Sequence, residues 1–327
     1  MRAIVIARPG GPEVLEEQDR PLPEPGVGQI RVRVHTSALN RADLMQRQGS
    51  YPAPPGAPAD IPGMEYAGEV DALGAGSTLW RLGDRVMGIV GGGAHAEFLV
   101  THEREALPVP AGLSWENAAA IPEAFLTAYD ALFTRLDVRL GERVLIHAVG
   151  SGVGTATLQL ARLAGAIVIG TSRSADKLAR ARDLGLDHAI DAADGDWAAT
   201  VEAAVGQNAV HAVVDLVGGN YLRGDLRVLA PRGRLAIVGL TGGRTAEMDM
   251  GVLLGKRLHV VGTVLRSRPI EEKIALAREF AGRGIPFFES GRLVPIVERV
   301  FSIGEIRAAH LLLESNSTFG KVVLRFD

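Results

Sequence analysis

The chain has 327 residues, a formal net charge of -3, and is 47% hydrophobic and 22% charged, the make-up of an ordinary globular protein. That length exceeds what one hydrophobic core usually serves, so two domains are expected. Mixed acids and bases offer no basic footprint for nucleic acid and no polybasic block for an anionic membrane, which favours small, weakly charged or neutral partners. The absence of Cys excludes disulfides, thiolate catalysis and cysteine-ligated zinc. No apolar run approaches the ~18 to 20 residues of a bilayer span. Residues 1–11 lack the apolar stretch of a signal peptide, so a cytoplasmic location is expected.

From Met1 to about Pro122 the runs RAIVIA, IRVRVHTSAL, YAGEV, DRVMGI and AEFLV read as strands, joined by loops such as PLPEPGVG and YPAPPGAPADIPG. This predicts a compact, irregular β domain. From about Ala124 onward β-branched runs alternate with Ala/Leu/Arg segments of helical period. RVLIHAV, AIVIGTS, HAIDA, HAVVDLV, RLAIVGL and HVVGTVL are the strand candidates; helices are expected near residues 155–164, 175–184, 196–205 and 220–229, with a looser segment from Met248 to Arg257. Crossovers of this length suit parallel pairing and predict an α/β fold: a doubly wound parallel sheet of six strands in the order 3-2-1-4-5-6. Beyond it, IEEKIALAREFAGRG reads as a helix, and PIVERVF and GKVVLRF as strands around the helical EIRAAHLLLES. This tail is expected to return to the first domain, giving a substrate domain over residues 1–121, a dinucleotide domain over 122–266 and a return over 267–327. No repeat or low-complexity tract stands out, which leaves the loops and the cleft between domains as the places to look for function.

In ERVLIHAVGSGVGTATLQLARLAG a strand, a glycine loop and a helix follow one another, the context that gives a glycine motif meaning. Gly150, Gly152 and Gly154, with Ser151 and Val153 between them, would let the backbone approach a pyrophosphate at the start of a helix. Thr155 spoils a strict GxGxxG. An AxxGxxG spacing read as Ala148, Ser151, Gly154 fits better, with Ser in place of the middle Gly. An acid at the end of the second strand would bind the ribose hydroxyls of NAD, yet Thr171, Ser172, Arg173 and Ser174 stand there and Lys177 follows. Such donors suit the 2′-phosphate of NADPH. Read blandly, Arg173 and Lys177 are solvated cations and Ser174 is a helix cap.

The run ALNRADLMQRQGSYPAPPGAPADIPGMEYAGEV, followed by AAAIPEAFLTAYDAL and VLIHAVGSGVG and ending with LRSR and ESNSTFGKVVL, resembles the quinone oxidoreductases of the medium-chain dehydrogenase/reductase superfamily. Within them it is most similar to the tumour-suppressor-inducible enzymes and more distantly to the zeta-crystallins. The resemblance covers essentially the whole chain. It implies a GroES-like substrate domain, a Rossmann domain, NADPH as hydride donor and a homodimer. Zinc-dependent relatives place a Cys where Asn40 stands and a His within the element that here reads Gly63, Met64, Glu65. Both ligands are missing, and no ligand spacing joins His35, His95 and His102, so no catalytic metal is expected.

Without a metal the electrophile must be polarised by hydrogen bonds, for which the resemblance offers Tyr51, Asn40 and Asp43. A Tyr51 phenol would donate to the oxygen of a quinone or enone as hydride arrives. Alternatively Tyr51 anchors a Pro-rich loop, Asn40 bonds local backbone and Asp43 caps a turn. Further cofactor contacts carried over by position are Thr127, Gly218, Gly219, Gly239, Leu240, Thr241, Leu265, Arg266 and Asn316. A surface salt bridge is an equal reading of Arg266. The expected activity is quinone reduction by hydride transfer from NADPH, with reduction of conjugated alkenals or enones as the nearest rival. Cofactor binding without turnover, crystallin-like, is the reading of a different class.

Overall fold

The computed structural model describes residues 1–193 and 195–326. Two units emerge, one of residues 1–126 together with the segment from Leu265 onward, the other of Thr127–Val264. Leu265 and Arg266 therefore lie in the first unit.

The first unit opens with a hairpin of β1 (Arg2–Ile6) and β2 (Leu15–Asp19). Its main sheet begins with β3 (Gln29–Leu39), in which Ile30, Val32 and Val34 alternate inward while Arg31 and Arg33 point to Asp71. Asn40 then starts a short helix, α1 (Arg41–Arg47), a segment whose apolar residues are too few to announce it in the sequence. β4 (Glu65–Leu73), β5 (Arg85–Ile89), β6 (Phe98–His102) and β7 (Leu107–Pro108) complete this half, followed by α2 (Trp115–Ala119) and α3 (Pro122–Tyr129).

The second unit alternates β8 (Arg143–Ile146), α4 (Gly152–Leu163), β9 (Ile167–Ser172), α5 (Ala175–Asp183), β10 (His188–Asp191), α6 (Trp197–Val205), β11 (Val210–Asp215), α7 (Tyr221–Val228), β12 (Leu229–Ile237), α8 (Met250–Lys256) and β13 (His259–Gly262). Every pairing is parallel and the order is β10-β9-β8-β11-β12-β13, the doubly wound arrangement that the alternation predicts. Strands such as β8 and β11 are apolar at successive positions because both their faces are covered. Two details differ from the sequence reading. The first strand stops at Ile146, since Ala148 takes a left-handed backbone (φ 48) and turns the chain. The next helix starts at Gly152, inside the glycine motif, because Ser151 caps it by accepting from Gly154 N–H at 3.0 Å.

The tail returns as α9 (Ile270–Arg283), α10 (Ile285–Glu289), β14 (Val297–Ser302), α11 (Ile306–Glu314) and β15 (Lys321–Arg325). β15 pairs antiparallel with β3 and parallel with β14, so the last strand sits inside the first unit's seven-stranded sheet. Among the described residues no helix is long and apolar enough to cross a membrane.

Where α1 meets α11 the fold buries charge. Arg47, 1% exposed, donates to Gly10 O (3.0 Å) and His310 Nδ1 (3.1 Å) and pairs with Glu314. An Arg can only donate, so the His310 ring is neutral with its proton on Nε2. Burial, with help from His95 and Arg47, pushes the His310 pKa down to about 2. An unfolded His takes up its proton near pH ~6.5, so this group contributes stability above that pH that is lost as pH falls toward the folded value. The slope from one such proton is about 1.4 kcal/mol per pH unit. His310→Gln should flatten the decline of the urea midpoint between pH 6.5 and 5; an unchanged decline would mean that other groups set it.

Candidate functional site

In the second unit the glycine loop closes tightly on the strand before it. A Cβ on Gly154 would lie 2.4 Å from Ala148 O and 2.7 Å from Val149 O, so no other residue lets α4 begin this close to the β8 turn. Ala148 itself holds a conformation that costs an L-residue about 1 kcal/mol. With Ser151 capping at Gly154, the first amides of α4, those of Gly152 and Val153, have no partner of their own within the helix. Gly150 is buried, whereas Ser151, Gly152 and Val153 keep partial exposure. The loop thus offers the amide cradle and positive helix end that a pyrophosphate needs.

The end of β9 lies beside it, because β9 pairs with β8. Ser172 is nearly buried and its hydroxyl accepts from Ser174 N–H (3.2 Å). Ser174 caps α5 by accepting from Lys177 N–H (3.4 Å), so the cap reading of Ser174 holds. Arg173 is exposed and Lys177 half-buried. The carboxyl end of β11 is braced by Asp215, which accepts from Val217 N–H (2.7 Å) and, with both oxygens, from Gly218 N–H (2.9 and 3.0 Å). Gly239 follows β12 where a Cβ would meet Leu216 O at 2.5 Å. Thr241 donates to the same carbonyl (3.3 Å). Leu240, 48% exposed, lines a pocket of about 370 Å³ with Ile237, Val238, Gly262, Thr263 and Val264. Thr127 is buried on α3.

One buried group here is not signalled by any motif. His147 follows β8 and bonds Thr171 Oγ1 through Nδ1 (2.8 Å) and Asp225 Oδ1 through Nε2 (2.7 Å), with neither His147 nor Asp225 exposed at all. Burial raises the Asp225 carboxyl to about 6 against the opposing pull of His147.

In the first unit Tyr51 and Arg266 stand together. The Arg266 guanidinium lies 5.1 Å from the centre of the Tyr51 ring. It donates to Gly91 O (2.7 Å), Tyr51 O (3.4 Å) and Gln46 Oε1. At 3% exposure it is no surface cation: that reading fails because three loop and side-chain acceptors replace its water. Tyr51 is half-buried, and its phenol has no hydrogen-bond partner among the described residues. Burial holds its pKa above the usual value, Arg266 pulling the other way and Glu123 adding to the rise. The phenol therefore keeps its proton at neutral pH.

Asn40 and Asp43 face inward. Asp43, fully buried, accepts from Asn40 N–H (2.8 Å) and Gly63 N–H (3.0 Å). Asn40 donates to Glu65 Oε1 (2.9 Å) and Ala38 O (3.4 Å), and its Oδ1 accepts from Lys321 Nζ (2.6 Å). Lys321 also donates to Leu39 O (2.9 Å) and pairs with Glu65 Oε1 (2.6 Å), while Glu65 Oε2 takes Glu123 N–H at 2.8 Å. The residues at the expected ligand positions are thus joined around a buried ammonium, which sequence reasoning missed. Its one signal was a Lys opening the otherwise apolar run VVL.

The remaining sites are separate. Leu265 is buried and lines a small cavity with Ile89, Leu126, Leu276 and Ala277. Asn316 occupies an exposed left-handed turn (φ 56) and accepts from Arg41. His35 stacks on Trp115 (4.5 Å), His95 bonds Ser37 Oγ (2.9 Å) and His102 accepts from Arg104 N–H (3.1 Å). Among the described residues no three His, Asp or Glu side chains gather as a metal site.

Comparison with known proteins covers both units. Residues 26–111 match the alcohol dehydrogenase GroES-like domain, and residues 152–281 match the zinc-binding dehydrogenase family. A quinone oxidoreductase of Pseudomonas aeruginosa is 35% identical over 99% of this chain and 99% of its own. Among solved structures, an NAD-dependent alcohol dehydrogenase is 36% identical (TM-score 0.88, 99% of both chains). The mycobacterial protein Rv1454c, complexed with NADPH, is 30% identical (TM-score 0.88, 99% of this chain and 100% of that one).

The ammonium cluster has a testable energetic consequence. Lys321→Met leaves Glu65 charged, buried and unpaired, and should destabilise the chain by about 3 to 5 kcal/mol. Lys321→Met with Glu65→Gln should recover much of that loss. Urea unfolding of the three proteins measures it, and a single-variant loss under about 1 kcal/mol would show the pair to be nearly neutral.

Proposed function

The chain belongs to the quinone oxidoreductase family of the medium-chain dehydrogenase/reductase superfamily and is an oxidoreductase, and we propose that it reduces a quinone with hydride from NADPH and without metal assistance. The observation that carries this reading is Tyr51, a protonated phenol with no hydrogen-bond partner among the described residues, its ring faced by a buried guanidinium. When bound, the nicotinamide supplies the hydride. The free amides of Gly152 and Val153 would hold its pyrophosphate, with Gly154 leaving room for the close approach, and Ser172, Arg173 and Lys177 would hold the 2′-phosphate. The support for NADPH over NADH is the lack of an acid at the end of β9, where a carboxylate would repel a phosphate.

On this reading the quinone lies with one carbonyl oxygen at the Tyr51 hydroxyl. As hydride reaches the ring, charge grows on that oxygen and the phenol bond strengthens. Arg266 keeps the ring in place through Tyr51 O, Gly91 O and Gln46, and its charge favours the phenolate should the proton pass across. Asn40 and Asp43 act one step removed, by fixing the start of α1 and the Gly63 turn. Metal-free chemistry is supported by the missing Cys and by the occupation of Asn40 and Glu65 with Lys321.

Steady-state oxidation of NADPH and NADH against quinones and enones tests the proposal: NADPH with quinones should give the highest kcat/KM, and activity should survive exhaustive chelation. Preference for enones would move the assignment to the alkenal reductases, and no turnover of any acceptor would leave a binding protein. Tyr51→Phe removes only the hydroxyl. Its kcat should fall about 10- to 100-fold, more for acceptors of lower reduction potential, which need more help. A flat series near wild type would remove Tyr51 from the mechanism.

A further inference from the structure

We propose that Tyr221 is a specificity-determining residue that, together with Arg173, grips the phosphate on the adenosine ribose of NADPH. This rests on the NADPH reading above. Tyr221 opens α7 after the cap residue Asn220, which follows Gly218 and Gly219, whose φ values of 69 and 58 turn the chain at the carboxyl end of β11. A Cβ on Gly219 would lie 2.5 Å from Gly242 O, so glycine is needed for the helix to start there.

The Tyr221 ring is held on two sides. It stacks on Trp197 (centroids 5.3 Å apart, planes at 22°) and meets His147 edge-on (4.8 Å, 84°). His147 is itself edge-on to Trp197 at 4.6 Å. The imidazole cannot swing away, because Thr171 and Asp225 bond its two nitrogens. Thr171 lies in β9 two residues before Arg173, and Asp225 lies one helical turn after Tyr221 on the same face of α7. One imidazole therefore ties the cationic end of β9 to the helix that carries the phenol. His147, Thr171 and Asp225 are positioning residues in this scheme.

The phenol is left free to act. Tyr221 is half-buried, and its hydroxyl has no hydrogen-bond partner among the described residues. Burial raises its pKa, and the foremost charge acting against that rise is Arg173, so the two side chains are electrostatic neighbours and the phenol remains a donor. A cation and a neutral hydroxyl donor within electrostatic reach of each other, on segments tied together by His147, suit a phosphate monoester, which accepts from both. A ribose hydroxyl, uncharged and smaller, gains far less from the same pair. Packing alone explains the ring, since aromatic clusters are common in cores; it does not explain a half-buried hydroxyl that has no hydrogen-bond partner among the described residues.

Tyr221→Phe keeps the ring and removes the donor. Titration of the intact protein with NADPH and with NADH, followed by tryptophan fluorescence and calorimetry, should show NADPH binding weakened about tenfold, or about 1.4 kcal/mol, and NADH binding within twofold of wild type. Arg173→Gln should weaken the same ligand, and the double variant should lose less than the product of the two effects. Equal loss for both cofactors in Tyr221→Phe would make Tyr221 a general adenosine wall and overturn the proposal. Unchanged NADPH affinity in a wild type that prefers NADPH would overturn it while leaving the NADPH reading intact. Equal binding of the two cofactors by the wild type would sink both.

Discussion

A nearly water-free ammonium must be neutralised where it stands, and in the first unit this requirement organises much else. Lys321 spends its three protons on Leu39 O, Asn40 Oδ1 and Glu65 Oε1. Those acceptors come from the end of β3, the cap of α1 and the start of β4, and Glu65 reaches on to Glu123 in the first turn of α3. Three stretches of chain distant in sequence, at residues 39–40, 65 and 123, are thus fixed to one charge. Asp43 extends the network to the Gly63 turn, where a side chain is barred by φ 98 and by His95 backbone nitrogen, 2.5 Å from where a Cβ would be. Polar groups buried this deeply are tolerable only because each finds its partner.

The second unit solves a different problem by steric means. A dinucleotide loop must bring backbone amides close to an anion and still let the next helix pack on the strand it has just left. Gly154 meets the second demand and Ser151 the first, by taking one amide as cap and leaving its neighbours at the open end of α4. The left-handed Ala148 shows that the turn is held by its surroundings rather than by local preference.

Much of this was legible in the sequence. Six β-branched runs separated by helical segments gave both the parallel sheet and its order, because parallel strands need long crossovers and chirality admits few arrangements. The Ser174 cap and the missing acid after β9 could be read directly. The start of α4 at Gly152 could not, since glycines announce turns and only the Ser151 cap reveals a helix. Arg266 was open to a surface reading because its acceptors are the carbonyls of Gly91 and Tyr51 and the amide of Gln46, far away along the chain. Lys321, His147 and Tyr221 escaped notice for the same reason: each has meaning only through partners that folding brings to it. Periodicity reports which face a residue occupies, not what it finds there.

The place of β15 bears on how the chain is made. During synthesis β3, at Gln29–Leu39, emerges early, but its neighbour β15 follows almost three hundred residues later. The second unit, built from the continuous stretch Thr127–Val264, has every strand it needs long before that moment. The flank of β3 that β15 will take, and the buried acid Glu65 that Lys321 will neutralise, must wait in a nascent chain that already carries a finished domain. An unpaired strand edge of this kind is where a growing polypeptide is exposed to mispairing and where chaperones have reason to bind.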